Sequence, residues 1–337
     1  MYKRQVFNPL PFTRDEVVEV DLDLPEMDNF CFTIFDAYGN EIYYYKDNQA
    51  KAIHTVQQTY GFPLRFYAVR HKVYFWADSI PAFGHKTYIV RRAQGSTVNR
   101  VEQTTEDKVL ITAKNQMENE YLRVEINDNG TLKILDKRTG KSYDRLNFFE
   151  DSGEVGDAYE HRQPKNDAVI TSLNGKASIK LIEKNPFKVA FRIKVGLKLP
   201  ERVTSDKTRR LNDRRRKCNI VSTVTLAKGA RRIDIVTVVD NVVKDHRLRA
   251  MFPTGIKTNY SYAEGQFDVL KRPISKPPIN KWIEPPCSTH PQLNFVDLSN
   301  GKVGLAVINE GLPEYEVVDS RERTIACLLY TSPSPRD

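Results

Sequence analysis

At 337 residues and 38.8 kDa the chain is longer than one hydrophobic core usually serves, so two domains or one unusually large β domain are expected. With 40% hydrophobic and 28% charged residues, 16 Tyr and 16 Phe, wholesale disorder is excluded, and the lack of any apolar run of about 18 residues excludes a membrane-spanning helix. The net charge of +9 suggests a polyanionic partner, a question that turns on where the charge sits.

The first residues, MYKRQVFNPLPF, lack the apolar core and cleavage site of a signal peptide and leave the compartment open. Strand patterns follow. Val18, Val20, Leu22 and Leu24 alternate with acidic residues, CFTIFDAYGNEIYYY comes next, and LRFYAVRHKVYFWADSIPAFGHKTYIVR supplies two or three more strands. Together they predict a small β-sandwich over residues 6–92. The polar stretch 93–107 reads as a linker, and residues 108–326 have the length of a large two-sheet sandwich. Within it, residues 121–137 read as a hairpin around Asn129-Gly130, a pair suited to a type I′ turn. Phe187, Val189, Phe191, Ile193, Val195, Leu197 and Leu199 keep strict period two, and residues 220–226 and 232–239 form a further antiparallel pair across AKGAR. Connectors rich in Gly, Pro, Asn and Asp complete an all-β, antiparallel fold class. Cys31, Cys218, Cys287 and Cys327 are far apart and form no CxxC, which argues against a disulfide framework and a structural zinc site.

Chemistry concentrates in three places. Residues 147–164, NFFEDSGEVGDAYEHRQP, crowd Glu150, Asp151, Glu154, Asp157 and Glu160 around Gly153 and Gly156, beside Tyr159, His161 and Arg162. Carboxylates accept hydrogen bonds from sugar hydroxyls and a ring covers a C–H face, so this loop fits a sugar site; its bland alternative is an acidic surface loop. Residues 238–255 place Asp240, Asn241, Asp245, His246, Arg247 and Arg249 after a strand, with Asp245 in sequence reach of Arg247 and Arg249. These suit a cleft or an ordinary ion-pair network equally. Residues 202–217, RVTSDKTRRLNDRRRK, hold eight basic residues against Asp206 and Asp213, which is +6 of the +9. Without an aromatic to stack bases, the run is expected to be a solvated loop rather than a nucleic-acid groove. No HxxxH metal pair, GxSxG elbow or Gly-rich phosphate loop is present.

The succession VFNPLPFTRDEVVEV, IPAFGHKTYIV, MENEYLRVEINDNGTLKILDKRTGKSY, GDAYEHRQP, KDHRLRAMFPTGI, FDVLKRPI and GLAVINEGLPEYEV resembles the C-terminal β region of glycoside hydrolase family 38, the α-mannosidases and mannosylglycerate hydrolases. The resemblance spans residues 6–326. It implies a small β-sandwich followed by a large galactose-mutarotase-like super-sandwich, taken from a zinc-dependent retaining hydrolase. The zinc ligands and the aspartate nucleophile are implied to lie in an N-terminal barrel, followed by a helical domain, neither of them in this chain. The parent's expected partners are therefore those missing domains and an α-mannoside or mannosylglycerate-type substrate, with no nucleic acid and no membrane. The fragment is expected to be inactive alone, with no catalytic residue and no metal of its own. Carried over by position, Tyr159 corresponds to a family tyrosine that reaches the substrate cleft, with Asp157, His246, Arg247 and Arg249 as further substrate-binding candidates.

The two ends have a distinct expectation. MYKRQ can be written as GTG TAT AAG AGA CAG, whose reverse complement, shifted by one base, reads CLLYT, residues 327–331. Residues 1–5 and 327–337 are therefore expected to be one sequencing adapter translated in opposite orientations. Two rival functions remain from the sequence: a stand-alone carbohydrate-binding sandwich, which predicts sugar binding by the chain itself, and a polyanion-binding protein using residues 202–217, which predicts steeply salt-dependent affinity.

Overall fold

Along the strand Lys188–Pro200, Val189, Phe191, Ile193, Val195, Leu197 and Leu199 are each at most 4% exposed, while Arg192, Lys194 and Lys198 face water. Period two forces this division, and the same logic builds the whole molecule. The computed structural model describes residues 2–25, 31–93, 110–157, 161–278 and 286–331, and among them there is no helix.

The first seven strands are β1 (Tyr2–Asn8), β2 (Arg14–Pro25), β3 (Phe32–Phe35), β4 (Glu41–Ile42), β5 (Tyr44–Val56), β6 (Leu64–Ile80) and β7 (Gly84–Arg92). They form a sheet ordered β1-β7-β3-β4 and another ordered β2-β6-β5, closed over Leu22, Leu24, Phe32, Ile34, Phe75 and Tyr88. Apart from Ala93, the linker expected over 93–107 lies outside the described residues.

The large sandwich begins with β8 (Ile111–Ala113), β9 (Gln116–Glu118), β10 (Leu122–Ile126), β11 (Leu132–Asp136) and β12 (Lys141–Leu146), a five-stranded sheet in sequence order. The β10–β11 hairpin forms where expected, pairing Leu122 with Asp136 and Ile126 with Leu132. Its turn is not type I′. Gly130 alone takes a positive φ, +86°, and its N–H donates to the Asn127 carbonyl at 2.8 Å. Asn129 instead spends its amide on the Leu173 carbonyl at 2.9 Å, tying the turn to the chain beyond.

Next come β13 (Phe148–Gly153) and β14 (Ile170–Thr171), then the sheet β15 (Ser178–Lys184), β16 (Lys188–Pro200), β17 (Arg215–Ala227) and β18 (Asp234–Asp240), also in sequence order. β19 (His246–Pro253), β20 (Tyr260–Glu264), β21 (Val269–Pro273), β22 (Thr289–Pro291), β23 (Phe295–Ser299), β24 (Gly304–Ile308), β25 (Glu314–Val318) and β26 (Thr324–Thr331) complete the chain. A six-stranded sheet, β14-β13-β19-β26-β25-β22, and a four-stranded one, β21-β20-β23-β24, result. The long β16–β17 ladder covers two sheets in succession. Val189, Phe191, Ile193 and Val224 pack on Met117, Val124 and Leu132 of the five-stranded sheet, and Leu197, Leu199, Cys218 and Ile220 pack on Phe149, Leu248 and Ala250 of the six-stranded one. All four cysteines are unbridged. Of the segments expected to derive from an adapter, residues 2–5 lie in β1 and 327–331 in β26; residue 1 and residues 332–337 lie outside the described residues.

The small sandwich is seated on the β17–β18 turn and the start of β16 in the large one. Lys188 Nζ reaches Glu19 Oε2 at 2.7 Å, Arg232 Nη2 reaches Glu16 Oε1 at 3.1 Å, and the Trp76 ring lies directly over Gly229. Gly229 has φ +67°, and a Cβ there would overlap the indole. We expect Gly229→Ala to lower stability by about 1 kcal/mol or more in urea unfolding, through strain and the displaced ring; an unchanged midpoint would show that the seat does not carry load.

Candidate functional site

Glu150 and Asp151 are neighbours on β13, so their side chains leave the sheet on opposite faces. β19 lies alongside, pairing Arg249 with Glu150 and His246 with Gly153, which puts two charged networks back to back.

On the inner face, Asp151 has no solvent exposure. Its Oδ2 meets His246 Nδ1 at 2.5 Å and its Oδ1 accepts from Arg210 Nη1 at 2.5 Å. Arg210, 2% exposed, also donates through Nε to Asp167 Oδ1 at 2.6 Å and through Nη2 to the Ala168 carbonyl. Asp167 Oδ2 accepts the Gly153 N–H at 2.7 Å, stitching the network to the end of β13. His246 Nε2 faces Asn241 Oδ1 at 3.1 Å, an oxygen whose identity is fixed by the Val243 N–H that donates to it. Both ring nitrogens therefore face oxygen atoms. The Arg210 guanidinium between the Asp151 and Asp167 carboxylates supplies the pairing that buried charge requires.

On the outer face, Arg249 bridges Glu150 and Glu316, while Arg247 donates from Nη2 to Thr289 Oγ1 at 2.8 Å and stands 3.5 Å from Glu316. Burial pushes the Glu316 carboxyl up, but Arg249, a hydrogen bond from Ser288 and Arg247 together outweigh it and hold the group below the usual range. Burial, and then the neighbouring Arg249 charge, pull the Arg247 guanidinium below its ordinary value.

A loop leaves β13 at Glu154, whose side chain is 1% exposed. Oε1 accepts the N–H of Gly156 at 2.8 Å and of Arg162 at 3.0 Å, while Oε2 is paired with His161 Nδ1. One carboxylate thus clamps both ends of the segment 156–162. The Val155 N–H donates to the Arg162 carbonyl at 2.8 Å and closes it further. Burial pushes the Glu154 carboxyl up, yet His161 and the two backbone N–H groups outweigh it and leave it lowered.

Among the sequence candidates, His246 is brought to Asp151, and Arg247 and Arg249 to Glu316 on the other face. Asp157 is exposed at the start of the clamped loop; Tyr159 lies outside the described residues. Asp245 does not pair with Arg247 or Arg249. It sits at φ +52° with Oδ2 turned to the Val203 N–H at 3.2 Å. The basic run is not wholly solvated either, because Arg210 is the cation of the inner network. Arg210, Asp167 and Glu316 are absent from the sequence candidates, and Glu154 was noticed only as one acid among several.

Residues 117–330 match the model of the glycosyl hydrolases family 38 C-terminal domain. The chain belongs to glycosyl hydrolase family 38. It is 31% identical over 272 residues to a putative mannosylglycerate hydrolase of Halalkalibacterium halodurans, a stretch that is 77% of this chain and 30% of that one. An alpha-mannosidase from Enterococcus faecalis superposes with a TM-score of 0.85 at 25% identity, covering 98% of this chain and 39% of that structure. A second family 38 structure from the same organism gives 0.81 at 26% identity, over 98% and 40%. The family 38 chain described here thus spans less than half the length of these relatives. Among its described residues no group of three or more His, Cys, Asp or Glu could hold a metal, so the zinc implied by the family has no fitting ligand set here.

The Glu154 clamp has a pH signature. Because folding lowers its pKa below the ordinary 4.5, its stabilisation is complete above that value and is lost as pH falls through the lower folded value. Glu154→Gln is expected to cost on the order of 1–3 kcal/mol at neutral pH and to flatten the acid limb of the stability profile. Parallel acid limbs for wild type and variant in pH-dependent urea melts would contradict the clamp.

Proposed function

We propose that the chain forms the β-domain wall of the substrate cleft in a longer zinc-dependent, retaining α-mannosidase-type hydrolase. The observation that carries this reading is the Glu154 carboxylate at the end of β13, which accepts the N–H groups of both Gly156 and Arg162. Asp157, exposed beside this clamp, carries a carboxylate that accepts hydrogen bonds from sugar hydroxyls, and Tyr159 carries a phenol that can donate to them. Membership of family 38 and the relatives named alpha-mannosidase and putative mannosylglycerate hydrolase support an α-mannoside or mannosylglycerate-type substrate.

In this reading His246 acts from beneath the loop. At 1% exposure it orients Asp151, and through it Arg210 and Asp167, rather than opening toward solvent. Arg247 and Arg249 set Glu150 and Glu316 on the outer face, which is where the absent barrel would pack. That barrel would supply the zinc and the nucleophile, and hydrolysis would proceed with retention by double displacement. This chain contributes binding and orientation only.

Two outcomes are expected. The purified 337-residue chain should not turn over an aryl α-mannoside with added zinc, and zinc-dependent turnover would overturn the assignment of chemistry to a missing domain. In the longer enzyme, Tyr159→Phe and Arg249→Ala should each lower kcat/KM by about 10²-fold, the scale of a misplaced positioning group; wild-type kinetics in both would refute the cleft roles.

A further inference from the structure

The basic run does not present an even charged face. Arg202, Arg214 and Arg216 converge with Lys244 on one cleft of about 420 Å³, otherwise lined by Glu201 and Val242. The backbone fixes this convergence. The Glu201 N–H donates to the Arg214 carbonyl at 2.8 Å, and the Lys244 N–H donates to the Glu201 carbonyl at 3.0 Å, so three chain segments meet at one residue. Strand pairing of Leu199 with Arg216 and Pro200 with Arg215 holds the register. Glu201 is the one carboxylate among the lining residues, and Arg216 Nη2 binds it at 2.8 Å. Among the described residues no side-chain hydrogen bond or close ion pair engages Arg202, Arg214 or Lys244; Arg216, and then the charges of Arg214 and Arg202, hold the Glu201 carboxyl below its usual range. Four cations against one carboxylate leave the lining at +3, and like charges drawn together by the backbone repel unless an anion joins them.

We propose that this cleft binds the phosphate group of a small ligand, either a sugar monophosphate or the free ion. Guanidinium forks match phosphate oxygens in pairs, and an ammonium adds a point charge, so two arginines whose forks make no hydrogen bond, together with Lys244, make a phosphate-binding set. Size and lining disfavour a nucleic acid: none of the six lining residues is aromatic, so no base could stack. Arg202 also lines a second cleft of about 510 Å³, where Ser205 and Lys207 carry donors suited to the body of a sugar. The two carboxylates lining that neighbour are already engaged: Asp245 Oδ2 by the Val203 N–H, and Glu154 by the loop it clamps. The site does not depend on the role proposed for Tyr159 and Asp157, so it stands or falls separately from the α-mannoside reading.

Titration calorimetry of the purified 337-residue chain with glucose 6-phosphate, inorganic phosphate, heparin and duplex DNA tests the proposal. Saturable one-site binding of glucose 6-phosphate that weakens with salt is expected, and Arg214→Ala/Lys244→Ala should weaken it by about tenfold or more. Neither of those side chains makes a hydrogen bond or close ion pair among the described residues, so the double variant should keep the wild-type unfolding midpoint. Arg215→Ala, outside the cleft, should bind as wild type. Tighter binding of the sugar phosphate than of inorganic phosphate assigns the site to a sugar monophosphate; equal affinities assign it to the free ion. Absence of binding to both by a folded chain would overturn the proposal. So would equal loss on Arg215→Ala, or displacement of glucose 6-phosphate by heparin or DNA bound along the whole basic run.

Discussion

Asp151 occupies the inner face of a strand with no access to water, where an ionised carboxylate costs several kcal/mol unless cations and donors take up its oxygens. Arg210 and His246 do so, and each is in turn committed elsewhere: Arg210 to Asp167 and the Ala168 carbonyl, His246 to Asn241. Removing any member strands the others. The constraint joins four separate stretches of chain: β13, the segment after it, the β16–β17 connection and the start of β19. Apolar contacts from Phe149, Leu248 and Ala250 to Leu199 and Ile220 then fill the space around a junction whose geometry the charges set.

From that junction the local architecture follows by period two. Fixing Asp151 inward turns Glu150 outward, where Arg249 and Glu316 complete a second network, and it fixes the point at which the chain leaves the sheet as Glu154. The carboxylate of Glu154 then closes the loop.

Much of the fold was legible in the sequence. The alternation from Val189 to Leu199 specified strand and buried face, and Asn-Gly correctly marked a hairpin. The turn type was not legible, because Asn129 is drawn to the Leu173 carbonyl 44 positions away and leaves the positive φ to Gly130 alone. Arg210 was hidden for a similar reason. It stands among seven other cations, and its partner Asp151 is 59 positions distant, so no local pattern separates the buried arginine from the exposed ones. Glu154 differs, since its partners Gly156, His161 and Arg162 are all close in sequence. Its clamp was missed because it works through backbone N–H groups, which every residue carries and composition does not reveal.

A double-mutant cycle on Asp151 and Arg210, read by urea unfolding, tests the buried network most directly. Asp151→Leu and Arg210→Met should each cost about 3 kcal/mol or more, because each leaves a buried charge unpaired. The double variant should cost less than the sum by about 1.5 kcal/mol or more, the size of coupling expected between groups in one network. Additive losses would mean that the two side chains do not depend on each other, and would contradict the account.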